Sequence, residues 1–267
     1  TKVGTATLSL TGANTYTGGT TVLAGVLQGT TTSLQGDIVN TGSSVIFNQS
    51  TDGTYSDILS SSGSLTKTGT GRVDLTGVNT LGGAVSVTGG TLGLAGTGSL
   101  ESSSGLALSS GTTLDITNTT AGTSVGGLSG AGNVTLGAQR LSLNQGTAGT
   151  YSGVISGAGS LTKTGAERLD LTGTSTFTGA ASVLTGTLGF AGSGSFASSS
   201  GLALSTGTTL DITSTTAGTT VGSLSGAGNV TLGAQRLTVD ESSSTTFSGV
   251  ISGSGSLTKT GAERLDL

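Results

Sequence analysis

The heptapeptide Gly63-Ser64-Leu65-Thr66-Lys67-Thr68-Gly69 returns at residues 159–165 and again at 255–261, each copy 96 residues after the last. Thr1-Lys2-Val3-Gly4-Thr5 aligns with Thr66–Thr70 at an offset of 65, and Arg264-Leu265-Asp266-Leu267 repeats Arg168–Leu171. The chain therefore divides into a short unit, 1–65, two long units, 66–161 and 162–257, and the start of a further unit, 258–267. Self-similarity at a fixed spacing specifies an architecture that grows by adding units, each packed mainly on its neighbours. The matched phase of the two ends reads as a segment from within a longer protein.

Composition decides what such units can be. Of 267 residues 51 are Gly, 8% are charged, and none is Pro, Cys, Met, His or Trp. Flexible Gly/Ser linkers lack regularly spaced branched aliphatics, whereas Leu, Val and Ile recur here throughout. With only nine basic residues, a net charge of −4 and a pI near 4.6, the chain has no cluster to displace counterions from nucleic acid. No run of about 20 apolar residues could span a bilayer as a helix, and no signal peptide opens the chain. The lack of Cys excludes disulfides and thiolate metal sites, which suits a secreted protein.

The local pattern is strand and turn. Arg72–Leu75, Thr91–Leu94, Leu106–Leu108, Thr113–Ile116, Asn133–Leu136 and Arg140–Leu143 alternate polar with apolar, the period of half-buried strands. Pairs such as Thr76-Gly77, Gly89-Gly90 and Ser110-Gly111 cut them short. No window carries a helical stripe, so the fold is all-β. A string of β-sandwiches and a parallel β-helix both fit units of this size. The first unit is 31 residues shorter, which would cost a sandwich two or three strands but costs a solenoid only a coil or so. Five Phe, three Tyr and no Trp are few for sandwich cores. The expectation is a parallel β-helix of about 12 coils, roughly 20–24 residues each and about 60 Å long. Predicted inward residues are Leu65, Val73, Leu75, Val85, Val87, Leu92, Leu94, Leu106, Leu108, Leu114, Ile116, Val134, Leu136, Leu141, Leu143 and Ile155. Thr and Ser point out.

The stretch Leu10-Thr11-Gly12-Ala13-Asn14-Thr15-Tyr16-Thr17-Gly18-Gly19-Thr20-Thr21-Val22-Leu23-Ala24-Gly25-Val26-Leu27, with the Leu65–Leu75 pattern that precedes its later copies, resembles the passenger-associated transport repeat of bacterial autotransporters. The second copy keeps Asn79 and Gly83 but has Leu81 in the aromatic's place; the third has Ser175 for the Asn and Glu167 for a Gly, with Phe177 restoring the aromatic. The resemblance implies a right-handed β-helix that is secreted or displayed at the cell surface, exported with an N-terminal signal and anchored through a C-terminal outer-membrane β-barrel outside this segment. It also implies that the repeat helps the passenger fold coil by coil after export. Nearest-neighbour stacking permits this, and the lack of Cys and Pro removes two slow folding steps.

Chemistry is sparse. Without His there is no Ser-His-Asp triad and no imidazole base or ligand. Glycoside cleavage needs two carboxylates about 5–9.5 Å apart. Asp74, Asp170 and Asp266 are equivalent positions in successive units, as are Asp115 and Asp211, which sets each about 20 Å from its equivalent along a rod of coils. Asp240-Glu241, the one adjacent pair, alternates across its strand. The Arg72–Asp74 and Arg168–Asp170 pairs share a side of their strands and read as solvated, compensating surface charges. Lys67, Lys163 and Lys259 read as exposed lysines that discourage stray strand pairing. Calcium-binding nonapeptides are missing, because Gly18-Gly19, Gly82-Gly83 and Gly126-Gly127 lack the Asp. The Thr66-Lys67-Thr68 triplet returns too rarely for an ice-binding face. The chain is therefore expected to have no catalytic, cofactor or metal site.

The functional expectation is a structural or adhesive rod, an adhesin-like passenger whose partners are host or neighbouring-cell surfaces, protein or glycan, with a role in virulence or biofilm. The alternative is a self-associating or filament-forming surface protein. A carbohydrate-active β-helix enzyme ranks below both, and it would require two converging carboxylates.

Overall fold

The computed structural model describes residues 1–267. It is all-β, without a helix, and its parallel strands stack as a β-solenoid of about 13 turns. The extra turn over the expected 12 follows from shorter coils. Paired residues lie 18 to 25 apart and mostly 18 to 22, as in Val26↔Ser44 and Leu106↔Leu128. Two compact units, Thr1–Thr135 and Leu136–Leu267, each have their own core.

In the first unit a turn lays down up to three short strands, one on each of three faces. Period-2 alternation turns one residue in two inward, and parallel pairing places like upon like. One inward column runs Leu27, Val45, Leu65, Val85, Leu106, Leu128, and a second runs Val73, Leu92, Leu114, Val134. The third face carries Ile38 against Leu59. All sixteen residues predicted to face inward are at most 1% exposed. Each buried Leu or Val contributes about 1.5–3 kcal/mol relative to exposure. The outward column Thr66, Ser86, Ala107, Ser129 is small enough to leave that face flat.

The second unit repeats the scheme with Leu141, Leu161, Ala181, Leu202, Leu224 in one column and Leu169, Leu188, Leu210, Val230 in another. Three buried aromatics of this unit pack together. Phe177 and Phe190 both meet Phe196 edge-on at 4.9 Å between centroids.

Within each unit the equivalent lysines of successive repeats do not share a face. Lys2 bridges Val22 on the Ile38–Leu59 face, whereas Lys67 lies on the Leu65–Val85 face. In the second unit Lys163 sits in the column of Val183 and Leu204, whereas Lys259 pairs with Val239, which pairs with Val221. Strand Phe196–Leu204 bends between these two faces, with its register shifting between Phe196 and Gly201. The cause is arithmetic: the 65 residues from Lys2 to Lys67 make more than three turns of about twenty but fewer than four, and the 96 from Lys163 to Lys259 more than four but fewer than five, so within each unit the second lysine starts on another face.

Candidate functional site

The charged residues of the repeat form two recurring devices. The first is a lysine cage. Lys67 is 0% exposed and Lys163 2%, which corrects their expected outward placement; only Lys259 is exposed. The reason lies in the alternation itself. In Leu65-Thr66-Lys67 the lysine has the parity of Leu65, and its stem extends the column between Phe47 and Val87. Lys163 stands likewise between Leu143 and Val183.

The buried ammonium finds backbone carbonyls in place of an anion. Lys67 Nζ donates to Thr68 O, Gly69 O and Gly89 O, each at 2.9 Å. Lys2 Nζ donates to Val3 O at 3.1 Å, Gly4 O at 2.6 Å and Ala24 O at 2.8 Å. Lys163 Nζ donates to Gly165 O and Thr185 O, both at 3.0 Å. Two glycine turns aim these carbonyls inward. Gly4, Gly69 and Gly165, two residues after each lysine, have φ of +78°, +75° and +79°. Gly25, Gly90 and Gly186, immediately after the carbonyl from the next turn, have φ of +74°, +64° and +72°. This left-handed region is costly for any other residue. Burial pushes the Lys163 ammonium down to about 8, with Glu167 opposing the shift, so the group stays charged at neutral pH.

The second device is an Arg–Asp clamp that spans three turns. Arg72 Nε donates to Asp74 Oδ1 at 2.7 Å, and its Nη1 reaches Asp115 Oδ2 at 2.6 Å. Asp74, Gly93 and Asp115 are stacked in register, so the guanidinium crosses the intervening turn over Gly93. A Cβ there would lie 1.8 Å from Asp74 Oδ1 and 2.5 Å from Arg72 Nη2. Arg168, Asp170, Gly189 and Asp211 repeat the arrangement. The side chains of Arg72, Asp74 and Asp115 are only 20%, 22% and 18% exposed, which corrects the reading of Arg72–Asp74 as a solvated surface pair. Burial of Asp115 opposes its ionisation, but the Thr117 amide and the Arg72 guanidinium outweigh it and lower its pKa. Asp74 and Asp115, which the sequence reading did not connect, are thus two converging carboxylates that share one cation.

Several inward polar residues escaped sequence reasoning. Gln49, Gln145 and Glu241 occupy one equivalent position 96 residues apart and are 1–3% exposed. Gln49 accepts from the Thr31 amide, and Glu241 accepts from the Leu224 amide and the Thr245 hydroxyl. Asp240, beside Glu241, faces outward, so the adjacent pair points to opposite faces as expected. Asn79 links neighbouring turns, accepting from the Leu59 amide and donating to Ser99 O. A concavity of about 340 Å³ in the second unit is floored by Ala181 and Leu202 and rimmed by Ser200, Ser225 and Ser242; no charged side chain lines it.

The lysine cages and the Arg–Asp pairs fall inside the segments matched by a known family, whereas the far carboxylates of the clamps, Asp115 and Asp211, lie beyond them. The passenger-associated-transport-repeat model matches residues 1–28, 65–94 and 161–189, about a third of the chain. The chain carries three autotransporter passenger repeats. No curated protein and no solved structure matches the chain. Every passenger repeat holds a lysine cage, but the clamp is confined to the second and third. In the first, Thr7, Ser9 and Gln28 stand where the second has Arg72, Asp74 and Gly93. The glycine is thus kept only where an arginine must pass, and this covariation within the chain is the signal that could have revealed the clamp. Passenger repeats of this kind belong to proteins that are secreted or displayed on the cell surface.

Proposed function

We propose that the chain is the structural and adhesive rod of a secreted or cell-surface autotransporter-type passenger, which folds coil by coil after export and displays a binding surface. One observation carries this reading. The lysines caged in the passenger repeats and the arginines of the two clamps are spent inside the stack, on carbonyls and carboxylates of adjacent turns, which is how a scaffold uses charge. The small hydroxyl-bearing outward columns supply a surface for contact with protein or glycan on another cell. Surface anchoring would come from a C-terminal outer-membrane β-barrel in the parent protein. Deleting residues 66–161 from the parent protein tests the proposal, with cell adhesion and antibody-accessible surface display as readouts. A drop in either is the expected result; if both hold at the parental level, the rod has no such role.

A further inference from the structure

Each buried lysine divides its hydrogen bonds between two turns. Lys67 takes Thr68 O and Gly69 O from its own turn and Gly89 O from the next. Lys2 takes Val3 O and Gly4 O from its own turn and Ala24 O from the next, and Lys163 takes Gly165 O from its own turn and Thr185 O from the next, the far acceptor lying 22 residues on in both. The two glycine turns that present these carbonyls lie directly on one another: a Cβ on Gly90 would sit 2.7 Å from Gly69 O, and one on Gly186 2.8 Å from Gly165 O. The ammonium is therefore wedged where two left-handed turns touch, in a position that side chains on neither turn could fill. Lys259 completes the series. It bonds only Thr260 O and Gly261 O, its own-turn partners, and it is exposed.

We propose that the repeat lysine is a docking latch between coils, a fixed cation in a backbone-carbonyl cage that only the following turn completes. Before docking, own-turn carbonyls hold the ammonium near water at little cost, as at Lys259. Docking buries the ammonium and supplies its last acceptor in the same step. A turn that stacks with its glycine carbonyl misplaced leaves a buried ammonium short of a partner, which is heavily penalised. The latch therefore selects the correct register at one point in each repeat, and the apolar columns extend from there. This inference concerns how the coils join and stands whether or not the rod is adhesive.

The test uses the full 267-residue chain with Lys163→Met and, separately, Lys259→Met. Methionine keeps most of the apolar stem and removes the ammonium. Hydrogen exchange is read at the amides of residues 180–186, the turn docked on Lys163, and of 256–260. Lys163→Met is expected to reduce protection at 180–186 by about tenfold or more, the loss of a hydrogen bond to a charged group. Lys259→Met should change protection at 256–260 by less than about threefold. Unchanged exchange in Lys163→Met overturns the latch, and so does an equal loss in Lys259→Met. Should Lys163→Met fail to fold while Lys259→Met folds, the latch stands; failure of both variants overturns it.

Discussion

Gly93 shows how far a single absent side chain reaches. It leaves the opening through which Arg72 grips Asp115 two turns away. Gly93→Ala is expected to cost about 1–3 kcal/mol in urea unfolding, because the new methyl meets Asp74 Oδ1 at 1.8 Å and must displace the clamp. In an Arg72→Thr, Asp74→Ser background, which copies Thr7 and Ser9 of the first repeat, most of that cost should vanish; a full cost there would locate the strain in the backbone. Lys163 makes a separate prediction about pH. Its folded-state pKa lies near 8, below the ordinary 10.5 that the unfolded chain retains. Between those values the unfolded state binds more protons, so unfolding free energy should rise with pH across the window. Urea midpoints measured from about pH 7 to pH 9, below the range where Tyr55 and Tyr151 ionise in the unfolded chain, should rise more steeply in the parent chain than in Lys163→Met, where only Lys67, also lowered by burial, keeps this contribution. Equal slopes in the two chains would mean that the carbonyl cage offsets burial at Lys163.

At the scale of the strand, alternation decided nearly everything. Leu114 and Val134 were legible as inward residues because period 2 leaves no other choice, and parallel stacking then converts each strand into one rung of a column. Leu114→Ala, in mid-column, should cost about 2–5 kcal/mol, whereas Ala107→Ser on the outward column should change stability by no more than about 0.5 kcal/mol. Comparable losses from both would contradict the column assignment. The corners were less readable. Lys67 was placed outside because its charge was weighed above its parity with Leu65, yet a long stem fits an apolar column when carbonyls wait at its tip. Gln49 and Asn79 were missed for a related reason: their amides satisfy backbone groups of turns about twenty residues away, a separation at which no local pattern announces a partner. The clamp is the same kind of case, since Arg72 and Asp115 are 43 residues apart.

At the scale of the molecule, the repeat length and the turn length are incommensurate, and the shift of equivalent lysines to different faces follows from that. Removing residues 66–161 joins Leu65 to Thr162 and restores Leu-Thr-Lys-Thr-Gly without a break. The shortened chain should therefore keep its β circular dichroism per residue and unfold cooperatively; a disordered product would show that the two long units are not interchangeable. The phase shift has a consequence for inheritance. Near-identical repeats invite unequal crossing-over, and each gain or loss of a whole unit would leave every inward column continuous. The same event would turn all later residues toward a different side, so a single recombination could re-aim an exposed surface without altering one of its amino acids.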